Sequence, residues 1–542
     1  MNGNNQGNVQ PIYILPEDSK RETGKSAQRN NILAAKLVGE TVRTTLGPKG
    51  MDKMLVDALG DIIVTNDGVT ILKEMNIEHP AGKMLVEIAK TQENEVGDGT
   101  TTAVILAAEL LKRSEELLDD KIHPTVIING YRLAASKAIE VVKDYSEKID
   151  INDKKTLLNI AGTAMTGKGA ENAKTKLSEI VVSAVLDVMS KEEDRIDVDV
   201  DDIKIEKVAG ANVEDTTLIE GILLDKERVH AEMPKKVEEP KILLIDSPIE
   251  LRDNEIDTKI QITDPARMQE FMDLEEQMIK KIAQKIIDSG ANVVFCQKGI
   301  DDLAQHILAK NCVFAVRRVK KGDMEKIAKA TNARIATSID SIDVNDLGKA
   351  GVVKEQRIGD DPTVMIGGCK GAKSVTILVR GGTDHVIDEV ARALEDSIGV
   401  VSASVKDGKI VPGAGAPEIE LVLRLKEFAD TLKGREQLAV EAFAKSLEVI
   451  PATLAENAGL DPIDVITSLK SSHKKNEKTG INVFTGKLMD PINEGVIEPL
   501  RIKTQAISSA AEVAIMILRI DDVIAAGVEP QGPPMDPSQG MM

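Results

Sequence analysis

Apolar positions change their spacing twice along this chain, and the two changes divide it into three textures. From about residue 27 to 148 they recur with helical period. This predicts helices over 27–45, closed by Gly47 and Pro48, then over 84–94, 98–118 and 124–148. In the last of these Val126, Ile127, Tyr131, Ala134, Ala138 and Val141 fall on one face. Between the first two helices, 54–57 and 61–65 flank Ala58-Leu59-Gly60 and predict a β-hairpin, followed by a turn at Asn66-Asp67-Gly68. A short apolar run, 9–15, predicts a strand or an ordered arm. From Lys241 the texture becomes alternating: strands over 241–246, 291–296 and 313–317 interleave with helices over 264–288, 301–310 and 322–331. That order implies a separate βα domain with a largely parallel sheet. A strand at 375–380 and a helix at 384–405 follow, helical texture resumes near Glu418 and runs through Glu456, and 518–525 is a last strand candidate. Matching textures at the two ends predict a helical domain built from both termini, in a multidomain α+β and α/β fold.

The chain is 542 residues long, which calls for roughly two to four domains rather than one core. No apolar run approaches the ~18 residues of a membrane span, and residues 1–10 are too polar for a signal peptide, so a cytoplasmic protein is expected. Cys296, Cys312 and Cys369 are odd in number and lack Cys-x-x-Cys spacing, and the six His form no His-Glu-x-x-His. Both facts argue against a disulfide framework or a zinc site. A formal charge of −20 repels nucleic acid; the one short basic run, Arg317, Arg318, Lys320 and Lys321, reads as a solvated face. Aromatics are 2% of the chain and Trp is absent, so a nucleotide would be gripped mainly through phosphate and metal.

The candidate chemistry begins at Gly97-Asp98-Gly99-Thr100-Thr101-Thr102, where a glycine-flanked carboxylate precedes three hydroxyls at the start of an apolar helix. Such a start offers unpaired N–H groups and a positive dipole end to anions, with Asp98 as the helix cap; an ordinary N-cap fits the same residues. Asp67 sits on a tight bend, aimed into a site or satisfying its own backbone as an Asx turn. Lys168, between Gly167 and Gly169, reads either as a γ-phosphate contact or as a surface turn. Glu395 and Asp396 add carboxylates, and 407–417 is a second glycine-rich loop leading into a helix. Together these make a triphosphate site without a Walker sequence: 19–26 lacks the leading glycine and 368–374 has the wrong spacing. No Gly-x-Gly-x-x-Gly joins strand to helix in the βα region, which argues against a dinucleotide fold. Within that region, the helix starting at Asp264-Pro265 carries a stripe of Met268, Phe271, Met272, Leu274 and Met278, which suits buried packing or a sticky surface.

Five motifs occur in order: 45–54 (Thr-Leu-Gly-Pro-Lys-Gly-Met-Asp-Lys-Met), 66–72 (Asn-Asp-Gly-Val-Thr-Ile-Leu), 97–102, 295–302 (Phe-Cys-Gln-Lys-Gly-Ile-Asp-Asp) and 496–506 (Val-Ile-Glu-Pro-Leu-Arg-Ile-Lys-Thr-Gln-Ala). With these, residues 10–526 resemble the chaperonin family, specifically the group II chaperonins of archaea and the related eukaryotic cytosolic ring. The resemblance implies an equatorial domain from 1–148 and 409–526, an intermediate domain from 149–217 and 371–408, and an apical domain at 218–370 with a lid protrusion near 249–275; the Pro-, Gly- and Met-rich composition of 527–542 itself predicts a disordered tail. It implies an ATP-hydrolysing chaperone that encloses unfolded proteins in two stacked rings of identical or paralogous subunits, without nucleic acid or membrane partners. A soluble magnesium-dependent ATPase or kinase acting on a small substrate is the competing reading.

By the same resemblance, Leu46, Gly47, Pro48 and Gly99 through Thr102, thus Thr100 and Thr101 as well, contact nucleotide, and Asp98 binds Mg²⁺. Asp67 and Asp396 position and activate the attacking water, Lys168 senses the γ-phosphate, Gly415 lies near the nucleoside and Glu498 contacts ribose. The hairpin at 54–65 and the strand at 518–525 match segments that join neighbouring subunits. One departure stands out: Gly413-Ala414-Gly415 replaces three consecutive glycines. If position 414 needs a positive φ, its methyl group costs on the order of 1 kcal/mol.

Overall fold

The computed structural model describes residues 20–56, 60–192, 195–250, 265–339, 342–358, 361–369 and 373–525. The expected arm at 9–15, the 251–264 part of the insertion, the side chains of Met268, Phe271 and Met272, and the tail at 527–542 lie outside the described residues.

Helix Thr100–Asp119 is the hub, buried at every position from Ala103 to Leu111. An apolar helix of this kind must be covered on all sides. Helices Gly24–Arg43, Pro80–Val96, Glu436–Leu447 and Leu500–Leu518 cover it. The crossing with Gly24–Arg43 is tight because Gly39 has no side chain there; a Cβ would lie 2.4 Å from that of Ala108. The resulting core draws on residues 32–142 and 411–518, so the first and last parts of the chain share one interior. The edge-to-face pair Tyr131–Phe443, with centroids 5.6 Å apart, joins the two parts.

A second core joins Val96 to helices Lys154–Met165, Lys174–Val188 and Asp384–Asp407. Its sheet pairs strand Val375–Gly381 with Ile203–Ala209 in parallel and with Thr217–Ile219 antiparallel. Beyond it, strands Lys241–Ile245, Val293–Cys296, Phe314–Val316 and Ile335–Ala336 form the expected parallel sheet, with Gly348–Lys349 antiparallel against Lys241–Ile245. Strand period divides its side chains between two faces. Ile242 and Leu244 enter one cluster, while Leu243 and Ile245 enter another that packs on helices Pro265–Asp288 and Asp302–Lys310.

The sequence pattern missed the sheet on the first of these faces. Strands Lys236–Glu238, Val352–Ile358, Asp361–Gly367 and Gly221–Leu224 form an antiparallel four-stranded sheet. Its longest pair, 352–367, is rich in charge, which masks alternation. The other corrections are local. The helix expected over 124–148 ends at Tyr145, and Leu518 closes a helix while only Asp522–Ala525 is strand. Asp522–Ala525 pairs antiparallel with Lys20–Thr23. The hairpin Lys53–Val56 with Ile62–Thr65 leaves Met54, Val56 and Ile62 exposed. Among the described residues no helix is long and apolar enough to cross a membrane.

Candidate functional site

Where the two helical cores meet lies a cavity of about 620 Å³. The segments around it are held by contacts that leave no room for side chains. Gly47 and Gly167 both have positive φ, and a Cβ on Gly167 would lie 2.9 Å from the α-carbon of Pro48. Asn66 Nδ2 donates to the Gly167 carbonyl at 2.6 Å. These contacts bind the 46–48, 66–68 and 167–168 segments into one wall, with Leu46, Gly47 and Pro48 facing the cavity.

Asp67 caps helix Gly68–Glu74, accepting from the Thr70 N–H at 2.8 Å and the Thr70 hydroxyl at 2.7 Å. It also faces the site, receiving the Thr100 hydroxyl at 3.5 Å. Both readings of this residue therefore hold together. Asp98 differs from expectation. Gly99, at φ +83°, is the helix N-cap, while Asp98 Oδ1 accepts the Gly99 N–H at 2.8 Å. Gly99 has no side chain to accept the first helical N–H groups, so these stay open to an anion, while Asp98 spends one oxygen on the Gly99 N–H. Thr100, Thr101 and Thr102 line the cavity at the helix start.

Lys168 is not on a surface turn. Its ammonium lies 2.5 Å from Asp396 Oδ2 and 3.6 Å from Asp98 Oδ1. Burial works against its charge, but the carboxylates of Asp396, Asp98 and Asp67 outweigh burial and hold its pKa above the usual lysine value. Burial pushes Asp396 up to about 8; Lys168 opposes this, and Asp67 and Asp98 add to it. Thus carboxylates at 67, 98 and 396, far apart in sequence, surround one cation. The approach is set by Gly97, whose missing side chain lets helix Asp384–Asp407 come close; a Cβ would sit 3.1 Å from the Asp396 carbonyl. Neither Asp396 nor its neighbour Glu395 lines the cavity itself; Asp396 reaches it through the ammonium of Lys168, which does, whereas Glu395 has no such link among the described residues.

The opposite end is built around Gly415, at φ +78°, which caps helix Ala416–Thr431. Ala414 has φ +57°, so the position does require the left-handed region that glycine tolerates best. Glu498 stands beside this loop and pairs with Lys503 at 2.8 Å; Lys503 also pairs with Glu418 at 2.9 Å. Burial raises the Glu498 pKa, opposed by Lys503. Sequence reasoning missed Asn66 and Lys503, which line the cavity, and Glu418, which pairs with Lys503 from outside it. The available signal was a lysine and a glutamate inside otherwise apolar helical stretches, which demand partners when buried.

Carboxylate oxygens meet around one ammonium next to the Gly99-capped helix start, and the Gly415-capped start stands at the cavity's other end; in this multidomain protein, that arrangement suits a phosphate ester and a divalent cation. Among known sequences, the family model described as TCP-1/cpn60 chaperonin family matches residues 38–528. The chain belongs to the TCP-1/cpn60 chaperonin family. It falls among the group II chaperonins. It is 60% identical over 518 residues to thermosome subunit beta of Archaeoglobus fulgidus, covering 95% of both chains. It is 62% identical over 517 residues to thermosome subunit beta of Methanothermobacter thermautotrophicus, again covering 95% of each. Among solved structures it matches the open-state monomer of a group II chaperonin from Methanococcoides burtonii at 49% identity and a TM-score of 0.59, covering 78% of this chain and 100% of that one.

Proposed function

We propose that this chain is a subunit of an ATP-driven folding chamber whose hydrolytic site is the cavity between its two helical cores. One observation carries the reading: Asp67, Asp98, Asp396 and Lys168 converge from four separate segments next to the Gly99-capped helix start, with the Gly415-capped start at the other end of the same cavity. The site fits Mg²⁺, because its donors are carboxylate oxygens and its present cation, the Lys168 ammonium, already sits where their charge concentrates. Asp98 would hold the ion, whose chemistry when bound is to neutralise charge on the β- and γ-phosphate oxygens.

The remaining work falls to the chain. Backbone N–H groups at Thr100–Thr102, with Leu46, Gly47 and Pro48, receive the phosphates. Gly415 and Glu498 receive the nucleoside. Lys168 turns from Asp396 to the γ-phosphate, and this frees Asp396 to take the proton of the attacking water while Asp67 orients it. Asp67 and Asp98 belong to elements of the first core, whereas Lys168 and Asp396 belong to elements of the second. Hydrolysis is therefore complete only when the two units are together, which ties chemistry to domain position.

The domain division is proposed as equatorial for 1–148 and 409–526, intermediate for 149–217 and 371–408, and apical for 218–370. The exposed hairpin Lys53–Val56 and Ile62–Thr65 and the strand Asp522–Ala525 are proposed to add to neighbouring copies or paralogous subunits in stacked rings, and the exposed Leu274 and Met278 to contact non-native clients or neighbouring lids. The decisive experiment combines electron microscopy of the assembly with ATP-dependent refolding of a denatured protein. Stacked rings that refold the client only with hydrolysable ATP are expected; a monomer that turns over ATP without effect on the client would falsify the reading.

A further inference from the structure

Gln92, in helix Pro80–Val96, is fully buried beneath the Asp98 loop. Its side-chain amide donates to the Asp98 carbonyl at 2.9 Å and to the Ile502 carbonyl at 3.3 Å. Its Oε1 is buried and has no hydrogen-bond partner among the described residues. Gly99 packs directly on this amide: a Cβ there would lie 3.0 Å from Gln92 Nε2 and 2.8 Å from Ile502 Cγ2. Ile502 precedes Lys503, which holds Glu498. One amide thus spans the loop at the phosphate end and the helix at the nucleoside end. A glutamine kept only for packing would leave no orphaned acceptor, since methionine or leucine fills similar space without one.

We propose that Gln92 is a positioning residue for the metal: by fixing the Asp98 carbonyl it sets the direction of the Asp98 carboxylate, and by bonding Ile502 it keeps the two ends of the nucleotide site in register. This rests on the reading of Asp98 as the magnesium ligand. Partners one step removed from a metal orient its ligands, and their loss typically weakens metal affinity about 10- to 100-fold.

The test uses the full-length assembled protein and two variants, Gln92→Met and Gln92→Leu, each removing the amide donor. Calorimetry gives the ADP dissociation constant with Mg²⁺ and again with EDTA, and electron paramagnetic resonance follows Mn²⁺ binding in the presence of ADP. Expected are about tenfold weaker Mg-ADP and Mn²⁺ binding, with metal-free ADP affinity within about twofold of the parent. Equal weakening with and without metal, no weakening, or loss of assembly in both variants overturns the positioning role in favour of a packing one. If the parent itself binds ADP no better with Mg²⁺ than with EDTA, the assignment of Asp98 fails first and takes this proposal with it. A magnesium-dependent parent with unaffected variants sinks the Gln92 assignment alone.

Discussion

Asp98 and Asp396 approach the same ammonium, yet the chain presents them in opposite ways. Asp98 lies between two glycines of positive φ, on a loop whose backbone is shaped for it. Asp396 is one carboxylate within a 24-residue helix, held by that helix's packing in the second core. The difference teaches that ligand-gripping groups need special backbone and leave a local mark, while a group delivered by a rigid element from another unit leaves none. It also predicts separable roles. Asp396→Ala should lower the hydrolysis rate by about 10²–10⁴-fold while sparing nucleotide binding. Asp98→Ala should abolish the magnesium dependence of binding itself. Single-turnover hydrolysis beside ADP calorimetry distinguishes them, and identical phenotypes would erase the contrast.

Legibility follows the same line. The glycine loops at 97–99 and 413–415, the hairpin and the parallel βα segment could all be read, because turn chemistry and period two or 3.6 are written locally. The convergence could not be read from spacing, since Asp67, Lys168 and Asp396 become neighbours only through the contact of two cores. Asp98 as a helix cap was a reasonable expectation, displaced because Gly99 adopts the left-handed conformation and takes the capping place. The antiparallel sheet went unseen because Lys354, Glu355 and Arg357 interrupt its strand pattern.

The nucleoside end sharpens the comparison through stability. Lys503 is nearly buried between Glu418 and Glu498, so its removal strands two carboxylates rather than deleting a surface pair. Lys503→Met should cost about 3 kcal/mol, against 1 kcal/mol or less for the exposed pair Arg29–Asp119. Denaturant unfolding of the two variants measures this, and equal small losses would show the buried trio to be dispensable.

A smaller effect concerns protons at Asp396, raised to about 8 by burial first and then by its carboxylate neighbours. Below that value the nucleotide-free site holds a proton and lacks its base. kcat/KM should therefore fall about tenfold per pH unit below 8 and level off above it. The stability sign is also fixed: between about pH 4 and 8 the folded chain holds a proton that the unfolded chain has released, so nucleotide-free stability should decline as pH rises through that window. A pH profile without an acid limb would remove Asp396 from the base role.

The smallest expected change is at Ala414, where a methyl group occupies the left-handed conformation at φ +57°. Replacing it by glycine relieves about 1 kcal/mol of backbone strain but returns conformational freedom to the unfolded chain, worth roughly 0.4–1 kcal/mol in the opposite sense. The methyl also packs against Gly480, where a Cβ would lie only 2.9 Å away, and Ile481 N–H bonds the Ala414 carbonyl at 3.1 Å. These terms nearly cancel in stability, so Ala414→Gly should shift the unfolding midpoint little. Its effect should concentrate in nucleotide binding, because the loop that contacts Glu498 gains freedom to adjust: a two- to threefold change in ATP affinity, on the order of 0.5 kcal/mol, is expected. Turnover and affinity identical to the parent would mean that the loop is held by Ile481 and the helix cap at Gly415, and that the methyl is a passenger.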